Sequence, residues 1–439
     1  DDIANILCTT FNKMMVLIVT LADKHQACPY CGFTAPKIKE YVTKEITHSA
    51  LTTQKCIIKY RARRYKCSCC GKTYYEFNPF VFKSQKISIL TVHNILKDLK
   101  DFNETFTSVA RRYHVSPTSV STIFDKHVDI GRNPLPEIIN FDEVYAFKSE
   151  KSKYVCVLLD FKKQIPVDVL PNRKKEYLLN YFQKIPLEER KKVKYACSDM
   201  YEVYRDVVHK VFPSCCMLLD YFHLSQDFHR KMNEVRIKVM KGYKDNKASD
   251  EYYLLKKFNW LLFKNPEDED KYGRLFDVER ERKYNSHFKS YMNYYDLRKK
   301  LLEINNDLTI CYSLKLELVD FYSKSTIDNA KVNLENLIRS CIDTNIDEMI
   351  AFSNNLINWK QEIINSFTIV GTEYKVEADK GQVVVCNKKV NNAIIENRNK
   401  IIKCIKNNAN GYTNWSRFRN RVMYVLDPNA TFSLEPREK

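Results

Sequence analysis

The alternation of apolar and polar positions divides the chain into regions with different predicted structure. Residues 1–80 are rich in strand formers, and residues 86–130 change to a helical pattern. Strand and helix patterns then alternate over residues 136–223. This order of a β-rich, a helical and an alternating region predicts several domains of mixed α+β class.

The C-terminal half is predicted to be mostly helical. Residues 224–365 have the spacing of long charged helices, among them 254–263 and 314–322. A strand-like run at residues 383–386 leads into a last basic helix from about Asn391. Glycine occurs at only 8 positions, so we expect long helices with short connections.

The composition indicates globular domains that meet a polyanionic partner. Hydrophobic residues make up 44% of the 439 positions, which is enough for real cores, and the formal net charge is +18. Such a surplus causes self-repulsion in the folded state and usually serves a polyanion. The alternative is a generally basic protein from an AT-rich genome that favours lysine codons.

We expect a cytoplasmic protein that keeps its thiols reduced and does not cross a membrane. The 15 cysteines are odd in number and mostly scattered, and the opening residues Asp1-Asp2-Ile3 do not resemble a signal peptide. The apolar run at residues 14–21 is far shorter than the roughly 18–20 residues that span a bilayer. It therefore predicts a buried strand.

Two cysteine motifs predict a zinc ribbon near the start of the chain. Each is a CxxCG knuckle, and together they contain Cys28, Cys31, Cys67 and Cys70. Thiolates at i and i+3 can bind one ion at about 2.3 Å, and two such turns complete a tetrahedral Zn²⁺ site. A β-hairpin at residues 40–66 would fill the interval. Cys69 is an alternative ligand with poorer spacing, and four buried structural cysteines are the alternative to a metal site.

Basic and aromatic residues alternate just before the second knuckle. The basic residues are Arg61, Arg63, Arg64 and Lys66, and the aromatic ones are Tyr60 and Tyr65. This combination suits contact with phosphates. An exposed basic strand edge is the alternative.

Residues 106–120 have the pattern of a helix-turn-helix. Val115 fits the turn, and Ser116 is a suitable N-cap before Pro117 at the first helical position. The pattern leaves polar and basic side chains for DNA on both helices. These are Arg111, Arg112, Thr118, Ser119 and Thr122. Any helical hairpin could show this pattern, so its weight comes from the zinc ribbon beside it.

The α/β region contains three predicted strands that end in an aspartate. They end at Asp142, Asp199 and Asp220, and two further strands and a helix lie between the first and the second. This order is that of the RNase H-like fold, in which the first and fourth strands are neighbours. Asp142 and Asp199 should therefore lie side by side. Solvated acids at strand ends are the alternative.

Neighbouring carboxylates repel each other unless divalent cations lie between them. Mg²⁺ prefers oxygen ligands, and two ions about 3.5–4 Å apart can activate a nucleophile and stabilise a leaving oxygen in phosphoryl transfer. Glu396 offers a third acid, because it is the only acidic residue between Val390 and Leu426. Its alternative is a surface ion pair with Lys400 at i+4.

Together these motifs resemble those of the ISL-three-type insertion-sequence transposases of bacteria, in the DDE superfamily, over nearly the whole chain. Besides the knuckles and the helix-turn-helix, the matching segments are Phe141-Asp142-Glu143, Asp168-Val169-Leu170-Pro171, Ser198-Asp199-Met200-Tyr201, Asp220-Tyr221-Phe222-His223, Glu396-x-x-Asn399-x-x-Ile402-Lys403 and Gly411-Tyr412-x-Asn414-Trp415-x-x-Phe418-Arg419. One departure is Asn397, which stands where the family usually has glycine.

The resemblance implies a role for each group of residues. Asp142, Asp199 and Glu396 would be the catalytic triad, binding two Mg²⁺ (or Mn²⁺) ions per active site, with Asp220 and His223 as a supporting D-x-x-H motif. The four knuckle cysteines would bind one structural Zn²⁺. In the basic tail, the residues implied to contact DNA are Arg398, Lys400, Lys403, Arg417 and Arg419.

The resemblance also implies an RNase H-like α/β catalytic core interrupted by an all-helical insertion. The expected domains are a zinc ribbon at 1–80, a helix-turn-helix at 81–134, the first part of the core at 135–235, the insertion at 236–385, and the second part of the core, with the glutamate helix and basic tail, at 386–439.

The function implied is that of a transposase acting in the bacterial nucleoid. It would bind the terminal inverted repeats of an insertion sequence and target DNA, and it would cut and join strands as a homodimer or larger assembly. A catalytically silent DNA-binding regulator derived from a transposase is the alternative. A nuclease that cuts without joining is a third possibility.

Overall fold

The computed structural model describes residues 2–23, 26–49, 54–82, 85–147, 152–376 and 383–437. The chain divides into two compact units, and neither is one continuous segment. The first consists of Asp1–Pro134, Glu143–Arg173 and Ile395–Lys439, and the second of Leu135–Asp142 and Lys174–Ile394. The mixed α/β, multidomain character expected from the sequence is confirmed.

A five-stranded sheet opens the first unit. Its strands are β1 (Ile3–Phe11), β2 (Met14–Leu21), β3 (Lys37–Thr47), β4 (Lys55–Lys66) and β5 (Thr73–Tyr75). They lie in the order β1-β2-β4-β3, and β5 pairs with the free end of β4. The antiparallel pairing of β3 with β4 confirms the predicted hairpin. The apolar run of β2 is a strand, as predicted, and buries Val16, Val19 and Leu21.

Three short helices follow in the same unit, namely α1 (Ile89–Asp98), α2 (Phe106–Arg112) and α3 (Pro117–His127). The predicted cap of α3 is confirmed, because Ser116 Oγ accepts a hydrogen bond from the Ser119 N–H at 3.0 Å. Thr105 caps α2 in the same way through Ser108. Each cap satisfies an N–H group that has no partner inside its helix.

The predicted α/β region forms a second five-stranded sheet. Its strands are β6 (Ile138–Val144), β7 (Val155–Asp160), β8 (Pro166–Leu170), β9 (Tyr195–Ser198) and β10 (Cys216–Leu219), in the order β10-β9-β6-β7-β8. Helices α4 (Lys175–Gln183), α5 (Leu187–Arg190) and α6 (Glu202–Val211) lie between β8 and β10 in the chain. The parallel pairing of β6 with β9 confirms that the first and fourth strands are neighbours.

Residues 221–389, all in the second unit, are mostly helical. Their elements are α7 (Tyr221–Lys241), α8 (Asp250–Lys257), a 3₁₀ helix (Asn259–Phe263), β11 (Glu269–Asp270), β12 (Gly273–Arg274), β13 (Lys283–Asn285), β14 (Ser290–Met292), α9 (Tyr294–Glu303), α10 (Asn306–Lys324), α11 (Ala330–Asp343), α12 (Asp347–Asn358), α13 (Lys360–Asn365), β15 (Ile369–Val376) and β16 (Val383–Lys389). No helix among the described residues is both long enough and apolar enough to cross a membrane.

The prediction of an all-helical insertion was wrong. Two small hairpins, β11–β12 and β13–β14, interrupt the helices, and β15–β16 forms a third. The predicted helix at 254–263 ends at Lys257 and continues as a 3₁₀ helix. The hairpins form because Gly273 and Lys289 adopt positive φ angles of 98° and 51°, which reverse the chain but are incompatible with a helix.

The predicted last basic helix is two helices, α14 (Ala393–Asn408) and α15 (Trp415–Leu426). The break occurs at Asn410 and Gly411, whose φ angles are 54° and 99°. Asn and Gly are the residues that adopt this left-handed conformation most readily, and they commonly end helices.

Helix α15 completes the hydrophobic core formed by α1, α2 and α3. Tyr424 is buried against Phe124, and its hydroxyl donates to the carbonyl of Leu96 at 3.0 Å. The buried Arg421 guanidinium donates to the carbonyls of Asp101 and Glu104 at 2.8 and 2.7 Å. The last helix therefore holds the three-helix segment in place rather than extending freely.

We predict that Tyr424→Ala destabilises the first unit by about 3–5 kcal/mol, the usual loss for a large buried aromatic side chain. Urea unfolding followed by circular dichroism measures this change. Tyr291→Ala is the control, because Tyr291 is 68% exposed and should cost little. Equal stability of the two variants would contradict the role given to α15.

Candidate functional site

The four knuckle cysteines form one cluster in the first unit. Cys28 Sγ lies 3.7 Å from Cys70 Sγ, and Cys31 Sγ lies 3.5 Å from Cys67 Sγ. All four sulfur atoms lie within 4.8 Å of one another. A tetrahedral ion with bonds of about 2.3 Å needs sulfurs about 3.8 Å apart. The cluster therefore fits a single Zn²⁺.

Local backbone geometry explains why the knuckles point at one place. In each knuckle the glycine N–H donates to the carbonyl of the first cysteine, at 2.9 Å for Gly32 and 3.0 Å for Gly71. Both glycines have φ angles near the left-handed region, 75° and 70°, where a Cβ is unfavourable. The N–H of Cys70 donates to the sulfur of Cys67 and lowers the pKa of the Cys67 thiol to about 7, which favours the metal-binding thiolate.

Three aspartates lie together at the ends of parallel strands in the second unit. Asp142 is in β6, and the register between β6 and β9 places it beside Asp199. Asp220 follows β10, which pairs in parallel with β9, and its N–H donates to the carbonyl of Ser198 at 3.1 Å. Continuing the printed register by two residues brings Asp142 opposite Asp199, as the sequence predicts, and Asp220 follows the next strand.

The buried thiol of Cys197 lies close to these three acids. Burial raises its pKa well above the ordinary value, and the negative charges of Asp220, Asp199 and Asp142 raise it further. All three carboxylates therefore act on one point beneath the strand ends. Asp142 and Asp220 are themselves buried. Closely spaced, buried carboxylates are the oxygen-donor set that hard divalent cations neutralise.

His223 joins the row from the first turn of α7. Its Nε2 lies 3.8 Å from Oδ2 of Asp220, three residues earlier in the chain. Asp220 is the N-cap residue of α7, so the spacing of the D-x-x-H motif follows from the helical repeat. The structure therefore brings both residues of the predicted motif together.

The helix that carries Glu396 starts beside the same acids. The backbone N–H of Asn392 lies 3.4 Å from Oδ1 of Asp220, and α14 begins at the next residue. Glu396 is in the first turn of α14, one helical turn beyond Asn392. Sequence reasoning did not single out Asn392 or its partner Asn140, although a polar residue between Ile139 and Phe141 in a buried strand was a visible signal.

Several residues proposed to contact DNA have their side chains free of the core. Thr118 and Thr122 are exposed at the start of α3, with Ser119 half-buried between them. The basic residues that are exposed are Arg61, Lys66, Arg111, Lys400 and Lys403. The predicted exposure of the second helix of the helix-turn-helix is confirmed.

Other arginines in that set are engaged by acids of the protein itself. The pairs are Arg63 with Glu76 at 2.9 Å, Arg64 with Glu40 at 2.7 Å, Arg112 with Asp98 and Glu104, Arg417 with Asp125 at 2.6 Å, and Arg419 with Asp168 at 2.6 Å. Arg398 is half-buried and donates to the carbonyl of Gln164 at 3.2 Å. These side chains have a structural use that their positions in the sequence did not reveal.

Comparison with known proteins settles the family. The sequence model of the ISL3 (ISL-three) transposases of the DDE superfamily, described as a transposase, matches residues 139–378, more than half of the chain. The chain belongs to the ISL-three family of transposases. It is also 19% identical, over 93% of its length and 90% of the relative's, to the transposase for insertion sequence element IS1001 of Bordetella parapertussis. The predicted family is confirmed.

We predict that Cys28→Ser in this transposase abolishes zinc binding, because serine cannot replace a buried thiolate ligand. Metal analysis of the purified protein should fall from about one zinc per chain to near zero. Cys69→Ser is the matched control, since Cys69 is exposed and lies outside the cluster. Undiminished zinc in Cys28→Ser, or its loss in Cys69→Ser, would refute the assigned ligand set.

Proposed function

We propose that this chain is an active transposase that binds the terminal inverted repeats of its insertion sequence, cleaves the DNA at the element ends and joins them to target DNA. The observation that carries the proposal is the row of aspartates at the ends of parallel strands. The helix that carries Glu396 begins where Asn392 contacts Asp220. Membership of the transposase family supplies the reaction class.

The α/β sheet is, in this proposal, an RNase H-like core. Its order β10-β9-β6-β7-β8, with antiparallel β7 and β8 and parallel β6, β9 and β10, supports that assignment. The domain boundaries expected from the sequence are retained, with the insertion now mostly rather than wholly helical.

Asp142, Asp199 and Glu396 would hold two Mg²⁺ or Mn²⁺ ions through their carboxylate oxygens. When bound, the ions supply activation of the attacking oxygen and neutralisation of the charge that develops during phosphoryl transfer. Asp220 has a supporting place, because its carboxylate is engaged by His223 and by the N–H of Asn392. Its role is to hold the start of α7 and of α14 beside the triad.

The reaction needs no energy-rich cofactor and no covalent enzyme intermediate. A water oxygen bonds to phosphorus at the element end, and the bond from phosphorus to the 3′ oxygen breaks, which leaves a 3′-hydroxyl. That hydroxyl then bonds to a target phosphorus and displaces another 3′ oxygen. In the first step a water proton passes to the departing 3′ oxygen, and in the second one phosphodiester bond replaces another, so positioning and charge stabilisation carry the catalysis.

The first unit supplies the DNA contacts in this proposal. The zinc ribbon and the helix-turn-helix would bind the inverted repeats, with Thr118, Ser119 and Thr122 facing the bases. Arg61, Lys66 and Arg111 would contact phosphates, and Lys400 and Lys403 would do so from the helix that carries Glu396. The net charge of +18 supports a partner of this kind. Two element ends must be joined together, so a homodimer or larger assembly would act on bacterial DNA in the cytoplasm.

We predict that Asp142→Asn, Asp199→Asn and Glu396→Gln each lower cleavage and strand transfer at least about a thousandfold, because the ligands of one centre act as a unit. Binding of the element ends should be unchanged. The assay uses a donor plasmid with both ends and separates joined, nicked and bound products.

Asp160→Asn is the matched control, because Asp160 is as buried as Asp142 but caps the turn after β7 through the N–H groups of Lys162 and Lys163. Full activity in a triad variant would exclude the proposed centre. Nicks without joining in the wild type would indicate a nuclease, and binding without either would indicate a regulator.

We also predict different effects for two arginines of the helix-turn-helix region. Arg111→Ala should weaken end binding and reduce the slope of log affinity against log salt by about 1, because one phosphate contact is lost. Arg417→Ala should chiefly lower the melting temperature, because its ion pair with Asp125 is broken. Fluorescence anisotropy at several salt concentrations and thermal unfolding distinguish the two outcomes, and an unchanged salt slope for Arg111→Ala would argue against its contact.

A further inference from the structure

Two asparagines that belong to neither the triad nor the D-x-x-H motif connect strand β6 to the segment before α14. Asn140 lies in β6, two residues before Asp142, and Asn392 immediately precedes α14. Both side chains are fully buried. Nδ2 of Asn140 donates to Oδ1 of Asn392 at 2.7 Å and to the carbonyl of Asn391 at 2.8 Å.

Asn392 also reaches the two strand ends that carry acids. Its Nδ2 lies 3.4 Å from the carbonyl of Phe141, the residue before Asp142. Its backbone N–H lies 3.4 Å from Oδ1 of Asp220. A single buried residue therefore touches both β6 and the end of β10 at the point where the Glu396 helix begins.

The start of a helix depends on such outside contacts. The first N–H groups of a helix have no acceptor within it, so their partners fix where the helix begins. In α14 the side chain of Asn391 accepts the N–H of Ala393 at 3.1 Å, while Asn392 turns inward. These contacts therefore set the position and direction of Glu396, one helical turn further along.

The burial of the Asn140 and Asn392 side-chain amides beside an apolar strand needs a reason. Ile138, Ile139 and Phe141 surround Asn140 in β6 and are buried hydrophobic residues. An apolar pair of similar size could fill this space without the need to satisfy amide groups. The bonds of Asn140 Nδ2 to Asn392 Oδ1 and to the Asn391 carbonyl define one relative placement of strand and helix, which apolar packing does not.

We propose that Asn140 and Asn392 form an amide lock, meaning this pair of side chains and their mutual hydrogen bond, that positions Glu396 for divalent-cation binding. The inference rests on the proposed function. Both asparagines are positioning residues, since they act through the Glu396 helix and the Asp142 strand. Loss of the lock should weaken metal binding about 10- to 100-fold, as is usual for groups that orient metal ligands, while leaving DNA-end binding unchanged.

The test measures binding of Mn²⁺ to the full-length protein by electron paramagnetic resonance, and separately the Mg²⁺ concentration that gives half-maximal cleavage of the donor plasmid. The variants are Asn140→Ala and Asn392→Ala. The matched control is Asn293→Ala, because Asn293 is also buried, caps α9, and donates to the carbonyls of Val278 and Arg280 at 3.2 and 3.1 Å. We expect weaker Mn²⁺ binding and a higher Mg²⁺ requirement only in the two lock variants.

The outcomes separate this inference from the proposed function. Suppose that Asp142→Asn abolishes Mn²⁺ binding but that the two lock variants bind Mn²⁺ as well as Asn293→Ala does. That result would overturn the lock and keep the triad. Mn²⁺ binding that is insensitive to Asp142→Asn would overturn the triad, and the lock with it.

Hydrogen exchange of the wild type provides a test that does not require the variants to fold. Amides at residues 396–400, the first to bond within α14, should exchange as slowly as those of β6, because the lock holds the start of this helix. Exchange as fast as at a frayed helix end would overturn the proposal.

Discussion

Mutual repulsion among carboxylates at the ends of neighbouring parallel strands is the constraint on which the rest of the site depends. Asp142, Asp199 and Asp220 are held in one row by backbone pairing of β6, β9 and β10, which their side chains cannot escape. Such a row is unfavourable alone and becomes favourable when cations neutralise it. The cations proposed for this site would relieve that repulsion.

Residues around the row of aspartates restrict how far the aspartates can move apart. Cys197 lies beneath the acids as a neutral, buried thiol, so it supplies packing without adding charge. His223 and the N–H of Asn392 both approach Asp220, which fixes the starts of two helices relative to the strands. The Asn392 contact joins parts of the chain that are 172 residues apart.

In the first unit, too, a distant part of the chain completes a local structure. Its three-helix segment does not complete its own core, and α15 fills the gap with Tyr424 and the buried Arg421. Because α15 follows α14 in the chain, the same C-terminal segment packs on the three-helix segment and carries Glu396, the acid proposed for catalysis. Arginines that appeared available for DNA, such as Arg417 and Arg419, are used to hold this segment in place.

Local chemistry explains which features were predictable from sequence. The knuckles, the cap at Ser116 and the strands at or before Asp142, Asp199 and Asp220 are each determined by residues close in the chain. The hairpins between α8 and α9 escaped prediction because the positive φ at Lys289 follows from tertiary context, not from residue type. Ion pairs such as Arg419 with Asp168 escaped it because the partners are 251 residues apart. The role of Asn140 was likewise hidden, since its partner arrives from the other end of the chain.

The most direct test of the account is a crystal structure of the protein soaked with Mn²⁺, with anomalous scattering to locate the ions. The account predicts two peaks about 3.5–4 Å apart, held by the carboxylates of Asp142, Asp199 and Glu396. Peaks elsewhere, or a Glu396 carboxylate outside bonding distance of both ions, would contradict it.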